Sequence, residues 1–243
     1  MNEERILKAV RKAKTSRFII VLFHWAGASW MSWSGWKVGL DALVDSDVYA
    51  VSIPRKMGIC EAAVSVARSI DELTARNAQH RVALVGHSFG ARLAYEVAVA
   101  MVQPVHVLCL CGADAPFSGG SDDVPCVETV AECISMLRRL GGTPEELLQE
   151  EDFIAEMVAP ALRADLSKLR VYLSSAVSSR TPAGVGTTLV LAGTEDPRVC
   201  QEGLNQWKLA IPQARILREP GGHFFFLKGN ALAHAITDAL FSP

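Results

Sequence analysis

The sequence lacks the features by which several large classes of protein are recognised. Its formal net charge is −2, so it offers no broad basic surface for a nucleic acid. Its longest apolar runs, such as residues 18–23, fall far short of the ~20 residues needed to cross a bilayer. We therefore expect a protein that binds neither nucleic acid nor membrane.

Patterns for metal binding, disulfides and secretion are also missing. The six cysteines form no CxxC pair and no metal-ligand spacing, which predicts reduced thiols and no metal site. Residues 1–17 lack the apolar core and small-residue cleavage site of a signal peptide, so we expect a cytoplasmic protein. This charged segment predicts a solvated helix, with a docking surface for an acidic partner as the alternative.

What the sequence does contain is an alternation of short apolar runs with helical patterns. The runs are rich in leucine and β-branched residues, as buried parallel strands are. The alternation predicts an α/β fold, with helices on both faces of a mostly parallel sheet. The predicted strands lie at 18–23, 48–53, 82–86, 105–112 and 187–193, and the predicted helices at 61–78, 89–102, 199–210 and 230–241.

One long segment, from about residue 117 to 186, shows no strand pattern. Thr143-Pro144-Glu145-Glu146 predicts the start of a helix, with Thr143 as its cap. Apolar residues then recur at intervals of three or four, which predicts an amphipathic helix. We expect a single domain over residues 1–243, in which the 117–186 segment forms a helical lid.

The most informative motif is VALVGHSFGARLAYEVA at residues 82–98. Within it, Gly86-His87-Ser88-Phe89-Gly90 fits G-x-S-x-G, a strand-to-helix turn that exposes a serine hydroxyl at the carboxyl edge of a sheet. Glycine is required on both sides, because a Cβ in so tight a turn would strike the neighbouring strand or helix. An apolar run precedes the pentapeptide and a helical pattern follows it, as this turn demands.

A serine hydroxyl is a poor nucleophile unless a base accepts its proton and an acid orients that base. In folds with this turn the chain order is serine, acid, histidine. Asp196 and His223 follow Ser88 in that order, each on a loop after an apolar run. Asp114, after the preceding strand, is the alternative acid. We expect the other histidines to be structural.

The oxyanion that forms when serine attacks a carbonyl needs two backbone N–H donors. We expect Phe89, directly after Ser88, to provide one of them. Ala26 or Gly27, in the loop after the first strand, is expected to provide the other, with a plain tight turn as the alternative for that loop.

Apolar side chains that could bind an acyl chain occur in two places. Trp25 is the first of four tryptophans in HWAGASWMSWSGW, which either line the mouth of an acyl channel or pack against the following helix. Phe153 and Met157, in the lid, either line a substrate groove or face the core. Arg163 and Asp165 are expected to form a local pair that fixes the lid.

These segments resemble the type II thioesterases, the stand-alone α/β-hydrolases that accompany polyketide synthases and nonribosomal peptide synthetases. The likeness covers nearly the whole chain. VLFHWAGAS resembles the family's opening strand and loop, VGHSFGARLAYEVA its nucleophile turn, LRRLGGTPEELLQ and APALRADL its lid, AGTEDP its acid loop and PGGHFFFL its histidine loop.

The resemblance implies an α/β-hydrolase fold and hydrolysis of acyl groups from the phosphopantetheine arm of acyl or peptidyl carrier protein domains. Ser88, Asp196 and His223 would form the triad, with no cofactor or metal, and we expect a monomer. An acyltransferase, a medium-chain fatty acyl-carrier thioesterase, a general carboxylesterase and an idle carrier-binding module are the alternatives. The chain departs from the family pattern at His24, where proline is usual, and in the turn IPRKMGIC.

Overall fold

The computed structural model describes residues 6–75, 79–117, 124–175 and 179–241, and within them seven strands form one sheet. The strands are β1 (Leu7–Arg11), β2 (Phe18–Phe23), β3 (Ser46–Val51), β4 (Arg81–His87), β5 (Val105–Cys111), β6 (Val185–Gly193) and β7 (Arg215–Glu219). Their order in the sheet is β1-β3-β2-β4-β5-β6-β7, and all neighbouring pairs are parallel except β1 with β3. The α/β prediction is confirmed.

Helices connect the strands. They are α1 (Lys37–Ala42), α2 (Ile59–Ala75), α3 (Phe89–Ala100), α4 (Val130–Leu140), α5 (Glu145–Leu148), α6 (Glu151–Phe153), α7 (Ala159–Ser174), α8 (Gln201–Asn205), α9 (Trp207–Ala210) and α10 (Ala231–Phe241), with 3₁₀ turns at Trp30–Gly35 and Phe225–Lys228. The predicted end of α2, at 76–78, lies outside the described residues. Across the described ranges, no helix combines the length and the apolar character that a membrane span requires.

The sheet is covered on both faces, and its side chains feed two apolar cores. Every residue of β2 is buried, and successive side chains point to opposite faces. Ile19 and Val21 pack with α2 and α3, whereas Ile20 and Leu22 pack with α10. Trp33 and Trp36, fully buried in the second core, pack there instead of lining a channel.

Leu7–Arg11, within the N-terminal segment, form a strand, so the solvated helix predicted there is wrong. β1 pairs antiparallel with β3, with Leu7 opposite Val51, and the register shifts between Ala9 and Arg11. Its side chains are mostly half-buried. The edge of β3 supplies hydrogen-bond partners that a pattern of charges in the local sequence does not reveal.

Between β5 and β6, the described residues form α4 to α7 and no strand. A capping box begins α4, in which the side chains of Thr129 and Glu132 each accept a hydrogen bond from the other's backbone N–H. The predicted cap at Thr143 is wrong by one residue. Pro144 occupies the cap position of α5, a single turn that no side chain caps.

A π-helical turn, Ile154–Val158, joins α6 to α7. Here the Ala159 N–H donates to the carbonyl of Ile154, five residues back, and a proline without an N–H follows. A π turn contains one residue more than an α-helical turn, so the side chains around it do not follow the regular spacing of three and four that the sequence predicted. Ile154 and Leu162 are buried, whereas Phe153 and Met157 are 42% and 62% exposed. Phe153 and Met157 therefore lie outside the core, and the prediction that they line a substrate groove stays a prediction.

Candidate active site

Ser88 occupies the turn between β4 and α3 with a strained backbone. Its φ and ψ are 56° and −114°, and no other non-glycine residue in the described ranges has a positive φ. Its N–H donates to the carbonyl of Cys111 at the end of β5, at 2.8 Å. Backbone strain of this kind persists only where the surrounding structure enforces it, which is common at active sites.

The flanking glycines allow this turn to form. A Cβ on Gly86 would lie 2.2 Å from the carbonyl oxygen of Gly90, and one on Gly90 would lie 2.2 Å from that of Phe23. The predicted steric reason for both glycines is therefore confirmed. The close packing also fixes the start of α3 against the end of β2.

Asp196 and His223 meet on two adjacent loops at the same edge of the sheet. β6 and β7 end side by side, and the Glu195 N–H donates to the carbonyl of Gly221 at 2.9 Å, joining the loops. Asp196 Oδ2 lies 2.8 Å from His223 Nδ1, with both side chains at most 2% exposed. Asp196 Oδ1 accepts the Arg198 N–H at 2.8 Å. With its proton on Nδ1, the imidazole leaves Nε2 as an acceptor.

The alternative acid, Asp114, has other partners. Its carboxylate accepts the Cys200 N–H at 3.3 Å, and a Cβ on Gly203 would lie 2.2 Å from its Cγ. Burial raises the pKa of Asp114 above its usual value. The geometry therefore favours Asp196 as the partner of His223.

Ser88 and His223 line one cavity, whose volume is about 50 Å³. Trp25, Phe89 and Ala26 line it too. Its apolar wall comes from α4 and α7 and consists of Met136, Leu137, Leu140, Leu162, Leu166 and Leu169. Phe153 and Met157 are not among the residues that line this cavity.

The loop after β2 is a tight turn that contacts α7. The Ala28 N–H donates to the carbonyl of Trp25 at 3.2 Å, and the φ of Gly27 is 76°, which favours glycine at the third position of such a turn. The Gly27 N–H donates to Asp165 Oδ2 at 3.0 Å. This amide is therefore engaged, and Ala26 is the remaining candidate donor in the loop. Phe89 N–H, in the first turn of α3, has no acceptor within its own helix.

Helix α7 is fastened near its middle and near its C-terminal end. Near its middle, the Asp165 carboxylate accepts a hydrogen bond from the Gly27 N–H and pairs with Lys168 at 3.2 Å. Near its end, the Tyr172 hydroxyl donates to Glu96 of α3 at 2.6 Å. The expected Arg163–Asp165 pair is not formed, because the Arg163 guanidinium donates to the carbonyls of Val127 and Glu128.

A second histidine, His87, packs beside His223 with their ring centroids 4.6 Å apart. Phe224 and Phe226 also contact its ring. His87 is fully buried, and neither ring nitrogen has a hydrogen-bond partner among the described residues. Burial, together with the nearby His223, lowers the pKa of His87 well below its usual value, so this ring is neutral.

Arg92 was not among the residues that the sequence singled out, yet it lines the same cavity. It follows Ser88 by four residues, in the first turn of α3, where a side chain can lie near the serine. This spacing is the signal that would have found it.

Comparison with known proteins gives matches over most of the chain. A family model, the thioesterase domain, matches residues 18–240. Thioesterase PikA5 of Streptomyces venezuelae is 31% identical over 150 residues, which are 60% of this chain and about half (51%) of that protein. Linear gramicidin dehydrogenase LgrE of Brevibacillus parabrevis is 27% identical over 93% of this chain and 88% of its own. The structure of the type II thioesterase BorB, from the borrelidin biosynthetic cluster, is 25% identical with a TM-score of 0.71, over 96% of this chain and 97% of that chain.

Proposed function

The chain belongs to the thioesterase domain family, and from that premise we propose that it hydrolyses acyl groups from the phosphopantetheine arm of acyl or peptidyl carrier protein domains. The observation that carries the proposal is the buried 2.8 Å contact of Asp196 with His223, beside a cavity that Ser88 also lines. The names of BorB and PikA5, both thioesterases, support it. In the same proposal the chain is one domain, and α4 to α7 are its lid.

The first half of the proposed reaction transfers the acyl group to the enzyme. Ser88 Oγ attacks the thioester carbonyl carbon while His223 Nε2 accepts the hydroxyl proton. Asp196 stabilises the resulting imidazolium, and the N–H groups of Phe89 and Ala26 bind the oxyanion. The intermediate then collapses. The carbon–sulfur bond breaks, and His223 returns the proton to the sulfur, which leaves as the free thiol of the arm.

The second half releases the acid. His223 Nε2 accepts a proton from a water molecule, whose oxygen attacks the acyl-serine carbonyl. The bond between that carbon and Ser88 Oγ breaks, and His223 protonates the serine oxygen. These steps use only side chains and amides of the chain, and the phosphopantetheine belongs to the substrate.

Intact-protein mass spectrometry of acyl-loaded carrier proteins tests the proposal. The wild-type chain should remove the acyl mass, and Ser88→Ala should lower the rate by about 10³-fold or more, since nucleophile and base act as a unit. His223→Ala should lower it nearly as much. His234→Ala is the matched control, because His234 is exposed on α10 and should leave the rate unchanged.

Other outcomes of this assay identify the alternative functions. Cleavage of small aryl esters with acyl-carrier thioesters left intact would make the chain a carboxylesterase. Transfer of the acyl mass to an added acceptor, with no free acid, would make it an acyltransferase. Binding of the carrier without turnover would make it a binding module. Each of these results contradicts the proposal.

A further inference from the structure

Arg92 is a half-buried arginine that lines the same cavity as Ser88 and His223. Arg92 lies on α3 one helical turn after Ser88, about 6 Å along the helix axis, and both residues line the cavity. Arg92 Nε is buried and has no hydrogen-bond partner among the described residues. A buried guanidinium N–H without an acceptor is costly, so its presence calls for a partner that the chain itself does not supply.

The charged residues that line the cavity are basic. They are Arg92 and Arg198, and none of the described lining residues is acidic. Burial lowers the pKa of Arg92, and the charge of Asp114, which is not in the lining, acts in the opposite direction. Asp114 is itself engaged by the backbone at residue 200. The guanidinium remains positive, because its ordinary pKa is far above neutral.

We propose that the acyl group released by this chain ends in a carboxylate, which Arg92 binds inside the cavity. This inference rests on the proposed thioesterase function and names its substrate class. A guanidinium presents a planar fork of N–H donors that matches the two oxygens of a carboxylate. The carboxylate would supply the acceptor that Arg92 Nε lacks.

The position of Arg92 favours the acyl group over the phosphopantetheine arm as the source of the anion. Arg92 is one turn from Ser88, and hence close to the carbonyl under attack. The phosphate of the arm is separated from the thioester sulfur by the whole length of the arm.

Two carrier-bound acyl groups of the same size test the inference. Succinyl ends in a carboxylate, and 4-methylpentanoyl has the same heavy-atom skeleton with methyl groups in place of its oxygens. For the wild-type chain we expect kcat/KM to be about 10- to 100-fold higher with succinyl, the range that hydrogen bonds to a charged group provide. Arg92→Met should remove this preference by slowing succinyl release without slowing that of 4-methylpentanoyl.

Two further variants separate recognition from folding. Arg68→Met removes an exposed arginine of α2 and should leave both rates unchanged. Arg92→Lys keeps the charge without the fork, and should reduce the preference for succinyl by about tenfold. If Arg92→Met does not fold, Arg92→Lys still decides the question, because a merely structural role would lower both rates equally.

The failures of the two proposals are distinguishable. If the wild-type chain releases 4-methylpentanoyl as fast as succinyl, or if Arg92→Met lowers both rates by the same factor, the carboxylate inference is wrong and the thioesterase proposal stands. If the wild-type chain releases no acyl group from any loaded carrier, the thioesterase proposal fails and the inference fails with it.

Discussion

Replacing Asp196 with asparagine removes a charge and one acceptor while hardly changing the shape of the side chain. In the structure both carboxylate oxygens accept hydrogen bonds, Oδ1 from the Arg198 N–H and Oδ2 from His223 Nδ1, each at 2.8 Å. An asparagine has one acceptor oxygen and one NH₂ group. Its NH₂ group must therefore face one of these two donors.

The two orientations differ in what they disturb. If the NH₂ group faces the Arg198 N–H, two donors face each other. Leaving one buried donor unpaired in this way costs about 1–3 kcal/mol. With NH₂ towards His223, the imidazole takes the tautomer that carries its proton on Nε2. We expect the second orientation, in which Nε2 no longer accepts the Ser88 proton. The value of kcat should fall by about 10⁴-fold, or ~5.4 kcal/mol of activation free energy.

The assay is steady-state release of free thiol from an acyl-pantetheine thioester. Asp114→Asn is the matched control, since it makes the same chemical change in a carboxylate that His223 does not contact. We expect it to lower kcat by less than about tenfold, or ~1.4 kcal/mol. A larger loss for Asp114→Asn than for Asp196→Asn would refute the assignment of the acid.

Three further predictions concern stability. Gly90→Ala places a Cβ 2.2 Å from the carbonyl oxygen of Phe23, and should lower the free energy of unfolding in urea by about 3 kcal/mol. Asp165→Ala leaves Lys168, whose side chain is 11% exposed, without its carboxylate. It should destabilise by about 3 kcal/mol, and a second change, Lys168→Met, should restore the part that comes from the unpaired lysine but not the part that comes from the lost bond to the Gly27 N–H. Because His87 stays neutral when folded but gains a proton when unfolded below its usual pKa of 6.5, the free energy of unfolding should fall as pH drops below 6.5. This residue contributes a slope of up to about 1.4 kcal/mol per pH unit, and His87→Met should flatten the curve.

Contradictory results are specific to each of these. If Gly90→Ala has the same free energy of unfolding in urea as the wild type, the turn at Ser88 can relax to accept the added Cβ. If the double variant Asp165→Ala/Lys168→Met is no more stable than Asp165→Ala alone, the charge of Lys168 is not what destabilises the single variant. An unchanged pH slope in His87→Met would mean that other groups account for the acid sensitivity.

The positions of Ser88, Asp196 and His223 after predicted strands were enough to predict that they lie at one edge of the sheet. In the structure Asp196 contacts His223, and Ser88 and His223 line one cavity. Parallel strands bring their carboxyl ends to one edge of a sheet, so residues far apart in sequence meet there. The sequence order of serine, acid and histidine then left only Asp114 as a rival, and the hydrogen bond to His223 separates the two acids. The catalytic roles themselves remain predictions.

The features that escaped prediction depend on contacts outside the local sequence. β1 lies in a segment rich in charged residues, which predicted a solvated helix. It forms a strand because it pairs with the edge of β3. The π turn at Ile154–Val158 adds one residue to the helical repeat, so a regular count of three and four assigns the wrong face to Phe153 and Met157. The bond from the Gly27 N–H to Asp165 spans 138 residues, and no spacing rule reaches so far.

The two anchors of α7 have a consequence for how acyl chains are discriminated. A helix that is anchored at a single point can move away from the sheet, and the cavity between them can then expand to fit a larger ligand. Because α7 is held by Gly27 near its middle and by Glu96 near its C-terminal end, we expect the part of the helix between them to be a rigid wall. If the proposed function is correct, we expect the cavity beside Ser88 to keep its size and to select acyl groups by their length.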